Sequence, residues 1–353
     1  SMDAQPGSVD QGMTEPCIRL QERARVEEQQ QRRYLGKETT VGRKSQVVVP
    51  NMKGRLAVIT GASDGIGYAL ASRLARAGAD LVLPVRNLDK GRRAVEQIRA
   101  LAPGTDIELL TMDLSSLQSV ADCAERLLQA GRPINVLINN AGVMSPPHRQ
   151  KTADGFELQW GTNHLAHFAL SARLLPLLKA GGARVTTQSS VSAQMNGINW
   201  NDLNFEKSYS ESKAYSQSKV ANLMFGLELE RRSRAAGWGI SSNASHPGVT
   251  PTNLLRAQPH MGRSRDTLGF RMVETCSRLG LLNRTAEEGM LPALYAATHP
   301  QAEGGKFYGP SGFLHLSGAP AEQKVYRPAR DADEAARLWD VSEKLVGVQF
   351  ATR

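Results

Sequence analysis

Tyr215 and Lys219 stand one helical turn apart in Tyr215-Ser-Gln-Ser-Lys219, and a phenol paired with an ammonium at that spacing is the core of a proton-transfer device. The phenol can give a proton to a substrate oxygen or take one from it, and a cation beside it favours the phenolate. A second pair with the same spacing, Tyr209 and Lys213, lies just upstream, so context has to choose between them.

On a helix, Tyr215, Lys219, Asn222 and Gly226 share one narrow stripe beside an apolar face of Val220, Leu223, Met224 and Leu227. That stripe is polar and small, suited to face a bound ligand. Around Tyr209, the residues Lys207, Ser208, Ser210, Glu211 and Ser212 show no apolar periodicity, which predicts a loop and the first turn of the helix. Tyr215 is therefore the reactive candidate. The plainer alternative, a Tyr and a Lys decorating a solvated helix, holds only if nothing else in the chain needs them.

Something upstream does. Leu56-Ala-Val-Ile-Thr60 is a short apolar run that enters Gly61-Ala-Ser-Asp-Gly65-Ile-Gly67, and Tyr68 to Ala77 then reads as a helix. Strand, glycine turn and helix N-terminus in that order aim backbone N–H groups and a helix dipole at a pyrophosphate. The second strand, within Ala79 to Arg86, ends on arginine about 20 residues past the loop, where NAD-binding folds carry an acid for the ribose 2′-hydroxyl. A guanidinium there pairs with a 2′-phosphate, so NADP is expected over NAD. Pro84 is awkward inside a central strand and is taken to mark that strand's end.

In order along the chain stand Thr60-Gly-Ala-Ser-Asp-Gly-Ile-Gly67, Asn139-Asn-Ala-Gly142, Asn163-His-Leu-Ala-His-Phe168, Ser189-Ser190, Tyr215-Ser-Gln-Ser-Lys219-Val-Ala-Asn222 and His246-Pro-Gly-Val-Thr-Pro-Thr252. Together they resemble the short-chain dehydrogenase/reductase family, in its retinol dehydrogenase and protochlorophyllide reductase-like branch. The resemblance implies that Tyr215 is general acid for carbonyl reduction and base for alcohol oxidation. It implies that Lys219 lowers the phenol's pKa and holds the nicotinamide ribose, and that Asn163 sustains a water chain to solvent. Ser190 is assigned to the substrate oxygen over its rivals Ser189 and Ser192. It falls where the strand Arg184 to Gln188 runs out, and it is spaced from Tyr215 as in that branch.

For the cofactor, the resemblance implies Gly61, Ser63, Asp64, Gly65, Ile66 and Gly67 at the pyrophosphate, and Arg86 with Asn87 at the 2′-phosphate. Asp113 and Leu114 follow the third strand, Ile107 to Met112, at the adenine, although Asp-Leu-Ser-Ser is also a respectable helix cap. Asn140, Ala141 and Gly142 end the fourth strand, Ile134 to Ile138, and the resemblance implies that their small residues let the backbone approach the adenosine ribose. The resemblance further implies that Pro247, Gly248, Thr250 and Thr252 clamp the carboxamide and diphosphate.

A chain of 353 residues with 41% hydrophobic content can bury a full α/β core. The alternation of short β-branched runs with helical segments predicts a single doubly wound Rossmann domain over 51–353, with a parallel sheet of about seven strands flanked by helices. Residues 1–50 read as an extension, partly disordered and partly helical. A substrate lid is expected around 253–300, mostly apolar with basic rims, which suits a lipophilic ketone or aldehyde.

Three cysteines lack the count and spacing for a disulfide framework or a zinc site. His164 and His167 lie three apart on a helix without Cys or acidic partners, so no metal is expected. The formal charge of +9 comes from scattered basic residues with only 5% aromatics, which argues against nucleic acid. No apolar stretch approaches a membrane span, so a cytoplasmic enzyme is expected, as a homodimer or homotetramer. Two other functions stay open: an NADP(H)-binding sensor or scaffold acting through its N-terminal extension, and light-driven pigment reduction.

Overall fold

The computed structural model describes residues 47–249 and 285–350, all within one unit spanning Ser45–Arg353. The N-terminal extension up to residue 46, and the stretch 250–284 that holds Thr250, Thr252 and most of the expected lid, lie outside the described residues.

Seven strands run parallel: β1 (Leu56–Ile59), β2 (Asp80–Val85), β3 (Ile107–Thr111), β4 (Val136–Asn139), β5 (Arg184–Gln188), β6 (Ser241–Ser245) and β7 (Phe307–Pro310). An eighth, β8 (Pro320–Glu322), adds antiparallel to β7 at the edge, beyond the seven expected. The order is β3-β2-β1-β4-β5-β6-β7-β8. Chain order reverses between β1 and β4, which opens a crevice at their carboxyl ends.

Helices α1 (Gly65–Arg76), α2 (Leu88–Leu101), α3 (Leu117–Ala130), α4 (Ala166–Arg173), α5 (Leu175–Ala180), α6 (Glu211–Ala236), α7 (Ala286–Gly289), α8 (Leu291–Thr298) and α9 (Ala332–Val346) flank this sheet. The central β1 feeds both layers. Leu56 and Val58 of β1 join a core built with α3 to α6 and α9, while Ala57 and Ile59 join the opposite core with α1, α2 and α8. A strand covered on both faces must be apolar throughout, which is why β1 reads as an unbroken Leu-Ala-Val-Ile.

Pro84 lies inside β2, one residue before its last, paired with Leu110 of β3. Asp80 N–H donates to Arg55 on the β1 side, and the Pro84 carbonyl accepts from Gly61 N–H at 3.3 Å, so Pro84 also bonds toward β1. The β1–β2 register stops at Val58↔Val82. Proline's missing donor therefore falls where β1 must leave the ladder and become the glycine loop.

The polar β6 is a central strand because its side chains are satisfied internally. Ser242 Oγ donates to the Gly226 carbonyl at 2.8 Å, Ser245 Oγ to Gln188 Oε1 at 2.8 Å, and Asn243 Oδ1 accepts from Lys306 N–H at 2.9 Å. Gly226 lets α6 lie directly on this strand: a Cβ there would stand 3.0 Å from the Asn243 carbonyl oxygen. The stripe from Tyr215 to Gly226 thus does not face a ligand along its length. Its second half faces the sheet, and Asn222 Nδ2 donates to the Gln188 carbonyl at 3.0 Å.

The described end of the expected lid, residues 285–300, is not a lid. Met290, Ala293, Leu294 and Ala297 are buried in the core against the sheet.

Candidate active site

β5 delivers the site's serines. Past Gln188, Ser189 turns inward, donating Oγ to the Lys219 carbonyl at 2.7 Å, so it fixes α6 to the strand end. Ser190 stays partly exposed and caps the 3₁₀ turn Val191–Gln194, its Oγ accepting from Ser192 N–H at 3.2 Å. That bond uses a lone pair and leaves the hydroxyl proton free to point elsewhere. Ser190 also interacts with the Tyr215 phenol, favouring its ionised form. The Ser192 hydroxyl is buried with no hydrogen-bond partner among the described residues, and its carbonyl accepts from Ser216 Oγ at 2.7 Å.

Ser210 caps α6, accepting from Lys213 N–H, and Tyr215 follows in the helix's second turn. Tyr215 is partly exposed to the cleft, and burial of its ring pushes the phenol up to about 12. Lys219 is buried; its Nζ sits 5.7 Å from the Tyr215 ring centroid and donates to the Gln188 carbonyl at 3.3 Å. Desolvation lowers the ammonium to about 8. The rival pair is spent elsewhere: Tyr209 lies in the loop before α6 and donates to the Pro146 carbonyl at 2.8 Å.

Asn163 sits in a π-helical turn, Trp160–Leu165, the type of irregularity that recurs at functional sites. Its amide grips Val143 from both sides, Oδ1 accepting from N–H at 2.8 Å and Nδ2 donating to C=O at 2.9 Å. Nδ2 also reaches Ser218 Oγ at 3.0 Å. Gly142 is the meeting point: a Cβ there would lie 3.2 Å from Asn163 Oδ1 and 3.5 Å from Lys219 Nζ.

Across the crevice, α1 begins at Gly65, with Asp64 as N-cap residue but no side-chain cap bond, so its first amides are not closed by the capping side chain. Gly61 and Gly67 carry the close packing. A Cβ on Gly61 would meet Ala141 Cβ at 2.8 Å, and one on Gly67 would meet the Gly61 carbonyl at 2.3 Å. Gly65, at φ +56°, has open space beside it. An uncapped helix start beside open space fits a pyrophosphate. Ser63 and Ile66 are partly exposed at its rim.

Arg86 and Asn87 are exposed at the end of β2, where Asn87 also caps α2 by accepting from Lys90 N–H at 2.9 Å. Asp113 is not the cap of α3, which is Ser116. Its Oδ1 accepts from Ser115 N–H and Oγ at 2.9 and 2.7 Å. Leu114 is buried beneath it. Asn140 Nδ2 donates to the Thr60 carbonyl at 3.0 Å, tying β4 to β1. Pro247 and Gly248 follow β6, where a Cβ on Gly248 would stand 2.3 Å from the Leu316 carbonyl oxygen. Sequence reasoning missed the Gln188 carbonyl, Ser218 and the side chain of Thr60. Only Thr60, directly before the first glycine, carried a local signal.

These groups gather a phenol, a buried ammonium, a partly exposed serine hydroxyl and an uncapped helix start near a topological switch point. A profile described as short chain dehydrogenase matches residues 55–262. The chain belongs to the short-chain dehydrogenase family. Such enzymes are oxidoreductases acting on CH–OH and C=O groups. Retinol dehydrogenase 14 of Mus musculus is 38% identical over 310 residues, covering 84% of this chain and 87% of that one. Polyprenol dehydrogenase of Mus musculus is 38% identical over 307 residues, covering 85% and 86%. This dehydrogenase also matches the crystal structure of an uncharacterized Mycobacterium paratuberculosis protein with TM-score 0.67 and 37% identity, over 86% of this chain and 97% of that one. A structure described as an NAD(P)-dependent gluconate 5-dehydrogenase from Beutenbergia cavernae with bound NADP matches with TM-score 0.53 and 28% identity, over 71% and 92%. No described helix of this dehydrogenase is long and apolar enough to cross a membrane.

Proposed function

We propose that this dehydrogenase uses NADP(H) to interconvert a lipophilic alcohol and its aldehyde or ketone. The observation that carries the reading is a chain of contacts: Ser190 bonds the Tyr215 phenol, Lys219 Nζ lies 5.7 Å from the Tyr215 ring, and Gly142 lies between Lys219 and Asn163. NADP(H), when bound, supplies or accepts the hydride.

Tyr215 is protonated at neutral pH and can donate from its Oη to a carbonyl oxygen. Ser190, whose hydroxyl meets the Tyr215 phenol, can turn its proton to the same substrate oxygen and stabilise charge developing there. In the oxidising direction the phenolate is required, and the Lys219 ammonium is the nearby charge that favours it. Asn163, held by Val143 and Ser218, positions the Gly142 wall against Lys219.

Gly61, Gly65 and Gly67 with the amides opening α1 would hold the pyrophosphate, and Arg86 with Asn87 the 2′-phosphate that distinguishes NADP. The NADP bound to the Beutenbergia cavernae protein supports that cofactor. A lipophilic substrate is supported by relatives named for retinol and polyprenol.

Replacing Tyr215 by Phe tests the reading. With NADPH and a panel of apolar aldehydes and ketones, turnover is expected to fall by about 10²-fold or more while NADPH binding persists. An unchanged rate would remove Tyr215 from the mechanism.

A further inference from the structure

Two buried histidines, His164 and His167, stand on the π-turn and α4 and take no part in the proton transfer above. The surroundings of His167 admit one polarity. Its Nδ1 lies 3.0 Å from the Asn163 carbonyl oxygen and its Nε2 lies 2.9 Å from Thr60 Oγ1. A carbonyl only accepts, so Nδ1 carries the proton. Burial keeps the ring neutral, its pKa lowered to about 4, so Nε2 accepts and Thr60 donates to it.

Thr60 Oγ1 then turns its lone pairs to the Asn140 and Ala141 amides, each at 3.0 Å. Ala141 continues through Gly142 to Val143, which the Asn163 side chain grips at N–H and C=O. The bonds close a ring through Thr60, Ala141, Val143, Asn163, His167 and back to Thr60. It joins the ends of β1 and β4 to the π-turn, and the His167 imidazole is the one link in it that can be exchanged without touching the glycine loop or Asn163.

We propose that His167 is a positioning residue that, through the Asn163 carbonyl and the Thr60 hydroxyl, sets where Asn163 and Gly142 stand relative to Lys219. The inference rests on the active-site reading given above. The ring meets the reacting groups at Gly142, where a Cβ would stand 3.2 Å from Asn163 Oδ1 and 3.5 Å from Lys219 Nζ. A ring that slackens moves this wall, and a shift of about 1 Å remote from the chemistry costs about 10²-fold in rate. The fold has a way to survive the loss, because the Thr60 hydroxyl has a second acceptor, the Ile138 carbonyl at 3.5 Å.

His167→Phe and His167→Gln test this. For His167→Phe, kcat at saturating NADPH and carbonyl substrate is expected to fall by about 10²-fold with KM little changed. His167→Gln, whose amide donates and accepts, is expected to recover most of the loss. A merely space-filling histidine would instead lose activity in step with melting temperature and gain nothing from Gln, and that result, or an unchanged kcat for His167→Phe, overturns the proposal. The wild-type protein gives a reading that needs no turnover: ¹⁵N-histidine spectra are expected to show His167 protonated at Nδ1 and bare at Nε2, and the opposite tautomer also overturns it. A wild type that reduces no carbonyl with NADPH would instead defeat the active-site reading, and the tautomer would still decide the ring.

Discussion

Lys219 Nζ donates to the Gln188 carbonyl at 3.3 Å while standing 5.7 Å from the centre of the Tyr215 ring. The ammonium is fixed by the end of β5, not by the neighbouring phenol. The same carbonyl accepts from Asn222, so strand and helix are locked at the point where the charge must be held. Such a charge is held at a cost to stability, because burial penalises it.

That cost has a pH window. Lys219 is lowered to about 8 from an ordinary 10.5, so between those values the unfolded chain binds a proton that the folded one does not. The penalty is fully present below pH 8 and disappears as pH rises through 10.5. Lys219→Met is expected to be inactive yet more stable at neutral pH, by about 3 kcal/mol at most, with the advantage shrinking above pH 8. Melting curves of both proteins from pH 7 to 10.5 check this, and equal midpoints at pH 7 would contradict it.

Acid should act unusually early. Burial lowers His164 and His246 to about 3 and His167 to about 4, from 6.5. Their contribution is present above pH 6.5 and is lost as pH falls toward those folded values, because the unfolded chain takes up the protons first. Near pH 5 the three together should steepen the fall to about 4 kcal/mol per pH unit. Urea midpoints at pH 7, 6 and 5 measure the slope, and a flat profile would show that the rings are not buried neutral.

The glycines of the loop should separate by cost. In Gly67→Ala the new Cβ meets the Gly61 carbonyl at 2.3 Å and Asn140 Nδ2 at 2.6 Å, so backbone must move. A stability loss of about 1–3 kcal/mol is expected together with lost NADPH binding. Gly65→Ala meets no atom within 4 Å, and its φ of +56° alone is strained, at about 1–2 kcal/mol. Its main effect is expected on NADPH binding. Thermal melts alongside NADPH titration distinguish the two, and a more damaging Gly65→Ala melt would refute the packing argument.

Cofactor choice should follow Arg86. Arg86→Ala is expected to weaken NADPH binding by roughly 10- to 100-fold, the worth of a hydrogen bond to a charged group, and to leave NADH unchanged. Calorimetric titration of both nucleotides reads this. A parallel loss for NADH would move the recognition of the 2′-phosphate elsewhere.

Several features were legible from local sequence. β1 is apolar throughout because both its faces are covered, and the glycine loop is visible because its close contacts tolerate no Cβ. Tyr215 was separable from Tyr209 because only its segment has a helix's periodicity. Other features were hidden. β6 is Ser-Ser-Asn-Ala-Ser, which by propensity reads as a turn, and it becomes a central strand because α6 and β5 satisfy its hydroxyls. The eighth strand is three residues at an edge, too short to leave a pattern.

By itself, the sequence determined the alternation of strands and helices, the glycine turn and the Tyr215–Lys219 pair, all of which depend on neighbours within a turn or two. The tertiary structure alone decided that Ser189 ties α6 to β5 while Ser190 faces Tyr215, that the far half of the Tyr215 stripe lies against β6, and that His167 meets Thr60 across 107 residues of chain. The physical reason is shared by all three. A side chain's hydrogen-bond partner is set by which elements pack together, and periodicity records the face a residue presents but not the atom that waits there.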